Sequence, residues 1–358
     1  MIETRFWKNR RVFITGHSGF KGSWLCLMLH TLGANVTGYA QKPPTNPSLF
    51  EIGGVRSIAK TSFSDIRDLK NLKKSLVSAS PEIVIHMAAQ ALVRESYAHP
   101  LETYSTNVMG TVNLLEEVKD CKDIRAVVIV TTDKCYENKE WVWSYRENEP
   151  LGGFDPYSSS KACSEMVAAA YRNSFFNPEA YKTHKVALAT ARAGNVIGGG
   201  DWAKERLIPD CIKAIMNKEK IVIRNPGAVR PWQHVFEPLT GYLMLAEKLY
   251  KKGPLFGEAW NFGPHDDDTK PVAWIAEKIS RQFGASLAYP KRPARERLHE
   301  ASTLRLDSTK ARQVLGWHPR WNLEKAVDRT MDWYKAYMDG QEIRKLCDRQ
   351  IEEYLSDK

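Results

Sequence analysis

This 358-residue sequence has no C-x-x-C pair and no cysteine or histidine spacing suited to a metal ion. Its six cysteines, at 26, 121, 135, 163, 211 and 347, stand singly, several in apolar stretches. That excludes a zinc-stapled or disulfide-framed fold and predicts buried free thiols in a reducing compartment. An apolar leader is also missing, because Met1 to Arg11 is charged up to the first β-forming run, which argues against secretion. Residues 22–41 lack Asp, Glu, Lys and Arg, but Gly33, Asn35, Thr37 and Gly38 interrupt them. Helix, turn and strand fit that stretch better than a membrane span. Internal repeats and low-complexity linkers are absent. The expectation is a cytoplasmic chain without a membrane partner.

Of the charged residues, 52 are basic and 42 acidic, a formal net charge of +10. The bases are scattered among acids and no nucleic-acid motif occurs, so no nucleic-acid partner is expected. The excess suits a field that draws in a phosphorylated small substrate. Hydrophobic content of 43% and 26% charged residues belong to an ordinary globular chain, long enough for one large or two intimate domains.

The strongest local signal is Val12-Phe13-Ile14-Thr15-Gly16-His17-Ser18-Gly19-Phe20-Lys21-Gly22. β-Formers run into glycines spaced G-x-x-G-x-x-G, and an apolar helical stretch, Trp24 to His30, follows. Gly16 permits a tight turn, Gly19 close approach of a pyrophosphate, and Gly22 packing of helix on strand. Free N–H groups and the helix dipole then favour an anion at that terminus. His17 either crowds the pyrophosphate or faces solvent.

Strand and helix signals then alternate. Strands are expected at Asn35–Tyr39, Arg56–Lys60, Glu82–Ala88, Ala126–Thr131 and Val186–Ala191. Helices are expected from Asp65 to Val77, Leu101 to Val118 and Pro156 to Phe176. This is the pattern of an α/β fold, a Rossmann-like doubly wound parallel sheet. Beyond Gly200, Trp and Pro become frequent and strands short (Ile221–Ile223), with helices at Ile208–Met216, Pro238–Tyr250, Pro271–Phe283 and Leu323–Tyr337. The division predicted is a dinucleotide-binding domain at 1–195 and a smaller substrate lobe at 196–358, with segments returning to the first.

Tyr157 and Lys161 lie at i and i+4 on one helical face. A tyrosine serves as a base only when its pKa falls, and a nearby ammonium stabilises the phenolate. Upstream, Val130-Thr131-Thr132-Asp133-Lys134 ends a strand, where parallel-sheet enzymes place their ligands. Thr132 is thereby set to hydrogen-bond a substrate hydroxyl beside Tyr157.

Six further stretches accompany Tyr157-x-x-x-Lys161 in this order along nearly the whole chain: Thr15 to Gly22, Asp65-Ile66-Arg67, His86-Met87-Ala88-Ala89-Gln90, Asn107-Val108-Met109-Gly110-Thr111, Thr132 and Arg192-Ala193-Gly194-Asn195-Val196. Together they resemble the extended short-chain dehydrogenase/reductases that act on nucleotide sugars. The resemblance implies NAD as cofactor, held by Gly16, His17, Gly19, Phe20, Lys21, Asp65, Ile66, Ala88, Ala89, Gln90, Asn107, Thr131, Tyr157 and Lys161. Epimerases of this family carry small or apolar residues after Thr132, and 4,6-dehydratases carry an acid, usually Asp-Glu. This chain has Asp133-Lys134. With Gly198 to Trp202 and Arg230 to Val235 it resembles the CDP-glucose 4,6-dehydratases, which make the 4-keto-6-deoxy sugar leading to dideoxyhexoses of bacterial surface polysaccharide. The resemblance then implies oxidation at C4, loss of water across C5 and C6, and return of the hydride to C6. Asp133 would protonate the leaving hydroxyl, and Lys134 would stand in for the usual glutamate base. Gln90, Asn195, Arg206, Arg230, Gln233, His234, Arg297 and His299 would hold the CDP-glucose substrate, without a metal. A homodimer through the helices at 101–118 and 156–176, or a homotetramer, is implied.

One position departs from the usual NAD site. The second strand ends in Gly38-Tyr39, then Gln41-Lys42, where an acid commonly takes the ribose hydroxyls. Weak retention of NAD, or tolerance of the NADP phosphate, is expected, with Gly38→Asp as its probe.

Overall fold

The computed structural model describes residues 2–290 and 303–357. Seven strands form the main sheet: β1 (Arg11–Thr15), β2 (Asn35–Ala40), β3 (Ala59–Phe63), β4 (Ile83–His86), β5 (Ala126–Val130), β6 (Ala187–Ala193) and β7 (Ala259–Phe262). All pair in parallel, in the order β7-β6-β5-β4-β1-β2-β3. This is the doubly wound sheet that the sequence predicts. β4, β5 and β6 are buried at every position, as uninterrupted apolar strands are when helices cover both faces.

The longer helices are α1 (Phe20–Thr31), α2 (Leu69–Ala79), α3 (Gly110–Lys119), α4 (Pro156–Ser174), α5 (Leu207–Met216), α6 (Phe236–Lys252), α7 (Val272–Phe283), α8 (Leu323–Met338) and α9 (Ile343–Ser356). Leu72 and Leu76 of α2, Leu114 and Leu115 of α3, and Ala168 of α4 cover one sheet face with Phe13, Val84 and Val127. On the other face, α1, α6, α8 and α9 share a core with Val12, Ile14, Ile85 and Val128. Beyond residue 195 the described residues add three two-stranded pieces, including Gln233–His234 beside Val196–Ile197.

Four of these elements differ from the sequence reading: α2 begins at Leu69 and not at Asp65, because Asp68 caps it, accepting from the Asn71 amide. The third strand lies at Ala59–Phe63 and not Arg56–Lys60, because Val55–Ser57 forms a single tight helical turn. β7 and α9 were not anticipated. The Gly198–Gly200 run has a packing role: a Cβ at Gly199 would sit 2.0 Å from the Trp333 ring, and the Gly199 carbonyl accepts from Trp24 at 2.9 Å.

The strand order reverses between β1 and β4. Doubly wound sheets bind ligands outside the carboxyl ends of their strands at such a point. Register brings Thr15 opposite His86. The Thr15 hydroxyl bonds His86 Nδ1 at 2.7 Å and accepts from the Met87 and Ala88 amides at 3.1 Å each. The glycine-rich turn and the His86–Gln90 segment are thereby fastened together at the mouth of the crevice.

Candidate active site

A cleft of 1380 Å³ opens at that switch point. It exceeds the usual volume of a single small-ligand pocket, up to about 1,000 Å³, and has room for a dinucleotide and a second nucleotide-sized molecule.

At its floor Gly16 takes φ +77°, and a Cβ there would strike the Met87 carbonyl and Ala88 amide at 2.7–2.8 Å. A Cβ on Gly22 would lie 2.2 Å from the Gly16 carbonyl oxygen, so both residues are required by the turn itself. Gly19 is different. Its Cβ would meet only ordinary contact, 3.5 Å from that oxygen, so the protein's own packing leaves the space on the cleft side open. Gly19 also caps α1 without a side-chain acceptor, leaving the first amides available to an anion. These features fit a dinucleotide pyrophosphate, with Phe20 and Lys21 on the wall.

At the far end Asp65 and Ile66 line the cleft. Arg67 grips Asp65 at 2.6 and 2.9 Å and holds its carboxyl at about 2, and Gln41 donates to it at 2.6 Å. Ala88, Ala89 and Gln90 form the adjoining wall. Asn107 is buried behind them. Its side chain accepts from the Gln90 amide at 2.8 Å and donates to the Gln90 carbonyl at 3.0 Å, so it shapes the wall without facing the cleft.

The chemical pole gathers where β5 ends. Thr131, Thr132, Asp133, Lys134, Tyr157 and Lys161 all line it. Asp155 caps α4, accepting from the Ser158 amide at 2.9 Å, with Pro156 in the first turn. That start sets Tyr157 and Lys161 one turn apart and facing the strand end. Lys161 Nζ donates to the Val130 carbonyl at 3.1 Å. Burial pulls its pKa down to about 8, against the pull of Glu165. Burial pushes the Tyr157 phenol up to about 12, opposed by its hydrogen bond with Thr132. Thr132 also donates to Asp133 Oδ1 at 3.0 Å. Burial raises the Asp133 pKa, favouring its neutral form, while its Oδ2 is buried without a hydrogen-bond partner. The site therefore holds a protonatable carboxyl with one oxygen uncommitted.

A network not apparent in the sequence braces this pole. Glu165 of α4 accepts from Thr131, from Thr190 at 2.6 Å and from Arg192 at 2.9 Å. It ties the helix to β5 and β6. Arg192 is thereby a support and not a ligand. Tyr242 of α6, also unread in the sequence, accepts from Lys21 Nζ at 2.9 Å.

Asn195, Arg206 and Arg230 line the substrate side. Arg206 pairs with Asp201 at 2.9 Å, and Arg230 donates to the Val229 carbonyl at 2.9 Å.

Three further expected ligands, besides Asn107, do not face the cleft. His17 is fully buried, neither at the pyrophosphate nor in solvent. Its ring stacks on Phe63 and meets Phe50 edge-on, filling the space that a side chain at Gly38 would need, 2.2 Å from the missing Cβ. Gly38→Asp would therefore collide with His17 and cannot probe ribose recognition. Gln233 turns away from the cleft and donates to the Phe262 carbonyl at 2.8 Å. His234 is sealed between Phe236 and Trp321, with ring centres 4.5 and 4.8 Å away. The paired strands at 196–197 and 233–234 carry both side chains into the core. Arg297 and His299 lie outside the described residues.

Residues 13–330 match the family model described as GDP-mannose 4,6 dehydratase. The chain is 54% identical over 356 residues to a CDP-glucose 4,6-dehydratase of Salmonella typhimurium, covering 99% of both proteins. Among solved structures it resembles a dTDP-glucose 4,6-dehydratase of Streptomyces venezuelae with NAD and TYD bound, with TM-score 0.77 and 23% identity over 92% of this chain and 98% of that one. A UDP-glucose-4-epimerase of Stenotrophomonas maltophila with bound NAD is similar at TM-score 0.79 and 20% identity, covering 93% and 99%. Those two likenesses are ones of fold.

Proposed function

This chain belongs to the GDP-mannose 4,6-dehydratase family, and from that premise we infer that it is a CDP-glucose 4,6-dehydratase, an NAD-dependent lyase. The observation that carries the reading from site to reaction is Asp133. A buried carboxyl whose pKa burial raises, beside Thr132 and Tyr157, suits protonation of a departing hydroxyl, whereas exchange of configuration at C4 has no use for it. The choice of cytidine rests on the 54% identical relative.

When bound, the dinucleotide accepts one hydride and later gives it back. The remaining work falls to the protein. Tyr157 takes the proton of the C4 hydroxyl, which Thr132 orients; burial alone holds the phenol up at about 12, and the positive charge of Lys161, with that of an oxidised nicotinamide when bound, would lower it toward use as a base. The resulting ketone acidifies C5. Lys134, as the free amine, removes the C5 proton while Asp133 donates its own to the C6 hydroxyl; one water leaves, and Lys134 returns a proton to C5 when the hydride goes to C6. Arg230, Asn195 and Arg206 hold the diphosphate side, where a guanidinium matches phosphate oxygens. β2 ends without an acid, and Gln41 stands near the ribose end already bound to Asp65, which supports weak dinucleotide retention. The division at residues 195 and 196 follows the same logic, with α5 and the start of α7 lining the substrate side and α6 returning to the sheet.

Leu101, Met109, Met166 and Phe175 are exposed on the helical face around 100–119 and α4. We take that face as the contact of a homodimer, extendable to a tetramer. All six cysteines are free, in keeping with a cytoplasmic enzyme of deoxyhexose synthesis for surface polysaccharide. Among the described residues no helix is long and apolar enough to cross a membrane.

The test is incubation with NAD and CDP-, dTDP-, GDP- or UDP-glucose, followed by product mass and the alkali-induced absorbance of a 4-keto sugar. Loss of one water from CDP-glucose alone is expected. An epimer of unchanged mass would mean that Asp133 has been misread, and water loss from another nucleotide sugar would overturn the base. Asp133→Asn is expected to slow water loss roughly 10²–10⁴-fold while solvent deuterium still enters C5. Lys134→Met is expected to abolish that exchange.

A further inference from the structure

Lys161 donates to the Val130 carbonyl at 3.1 Å, and among the described residues no carboxylate forms an ion pair with it. Burial lowers its pKa. Of the groups that raise it, Glu165 comes first and the Cys135 thiol second. Its charge also acts on Lys21 of α1 and His86 of β4, the first a like charge and the second an imidazole that burial keeps neutral. Glu165 is the one carboxylate among these groups. Tyr157, Lys161 and Glu165 follow one another at intervals of four along α4, on one face of the helix. Glu165 and Arg192 lie in the core, their side chains 3% and 4% exposed. The two carboxylate oxygens are divided. Oε1 accepts from Thr131, the residue between the Lys161 acceptor Val130 and the Tyr157 partner Thr132. Oε2 accepts from Thr190 and Arg192, and Arg192 runs on to the Tyr136 hydroxyl at 2.8 Å and the Glu147 carbonyl at 3.0 Å.

A buried ion pair is often no more stabilising than well-packed neutral residues, so bracing alone does not account for a charge at this place. Resting on the role of Lys161 in the dehydratase reading, we propose that Glu165 is a positioning residue that keeps Lys161 an ammonium and so sets the alkaline limit for oxidation of the sugar at C4. With Lys161 charged, the Tyr157 phenolate is favoured and takes the proton of the C4 hydroxyl. Once Lys161 gives up its proton, the proton still shared by the two groups settles on the phenol, and the base is lost. The two residues titrate as a pair. Without the carboxylate that loss comes at lower pH.

The Lys161 titration midpoint is followed in the intact protein by nuclear magnetic resonance of isotope-labelled lysine ε-carbons, its signal assigned by loss in Lys161→Met. Oxidation alone is followed as reduced nicotinamide formed from NAD and CDP-6-deoxyglucose, which keeps the C4 hydroxyl and has no C6 hydroxyl to lose. Glu165→Gln is expected to lower the midpoint by about one pH unit and to move the alkaline limb of oxidation down by as much. The double variant of Glu165→Gln with Arg192→Met leaves no unpaired guanidinium. It is expected to do the same, and it carries the test where the single variant does not fold. Thr190→Val loosens the brace, keeps the charge and is expected to hold both values. An unchanged midpoint in the variants without the charge would make Glu165 a brace only and overturn the proposal. An equal fall in Thr190→Val would assign the effect to the brace and overturn it too. A lowered midpoint with an unmoved alkaline limb would overturn the link to oxidation. If the unaltered protein leaves the sugar unoxidised, the dehydratase reading fails, whereas a lowered midpoint would still support the action of Glu165 on Lys161.

Discussion

At the scale of single residues, His17 and Gly38 illustrate how a motif position acquires a structural job. The turn after β1 buries an imidazole, and a neighbouring strand gives up its side chain to receive it. Gly38→Ala should force the two together, since 2.2 Å between carbon atoms is untenable. Overpacking of this kind costs about 1–3 kcal/mol. His17→Ala alone should cost about 2–4 kcal/mol through the cavity it leaves. The double variant is expected to be more stable than the sum of the two losses implies, by about 0.5–3 kcal/mol, in urea unfolding followed by circular dichroism. Strict additivity would show that the ring and the glycine do not share that space. Gly19 is the opposite case. The protein's own packing does not demand it, so its conformational freedom is open to ligand approach.

Among elements, α6 is held to the C-terminal segments through Glu237. Its carboxylate accepts from the Arg320 and Trp321 amides at 3.0 and 2.9 Å and from the Tyr354 hydroxyl at 2.7 Å. Its carbonyl accepts from Trp317 at 3.0 Å. Glu237→Ala strips three donors, two of them fully buried, of their acceptor and is expected to cost about 2–5 kcal/mol, while Glu237→Gln keeps one carbonyl oxygen and loses less. Equal midpoints for the two variants in guanidinium would sink that explanation. This joint also marks the limit of what could be read beforehand. Strands such as Ala126–Val130 announce themselves by apolar runs, and Tyr157 and Lys161 by helical spacing. β3 is an edge strand with the mixed sequence AKTSF, half-exposed along most of its length, so polarity did not mark its bounds. β7 has only four residues and is recruited by pairing with β6. The same holds within the site. Thr132, Asp133 and the glycines are local in sequence and were legible. The Lys21–Tyr242 contact spans 221 positions, and the inward turn of Gln233 and His234 depends on a two-residue pairing with Val196–Ile197. No periodicity encodes either.

For the molecule as a whole, burial of neutral imidazoles links folding to pH. Burial lowers His17 to about 4 and His86 and His234 to about 3. His86 lies between the Thr15 and Thr111 hydroxyls, and His234 Nε2 has no hydrogen-bond partner. In the unfolded chain each would titrate near 6.5. Below that pH the unfolded state takes up protons that the folded state refuses, so stability is present above 6.5 and lost as pH falls. The full slope is about 1.4 kcal/mol per pH unit for each group. Carboxyls with raised pKa values, Asp133 among them, act in the opposite sense, so the total curve mixes signs. A difference between two chains isolates one histidine. His234→Leu keeps an apolar side chain among Phe236 and Trp321 and leaves every carboxyl in place. Its stability relative to the unaltered protein is expected to rise by about 1.4 kcal/mol for each unit of acidification from pH 6.5 toward 4. Above pH 7.5 the difference is expected to be constant. Thermal unfolding of both proteins across that range measures it, and a gap independent of pH throughout would mean that His234 is protonated in the folded core.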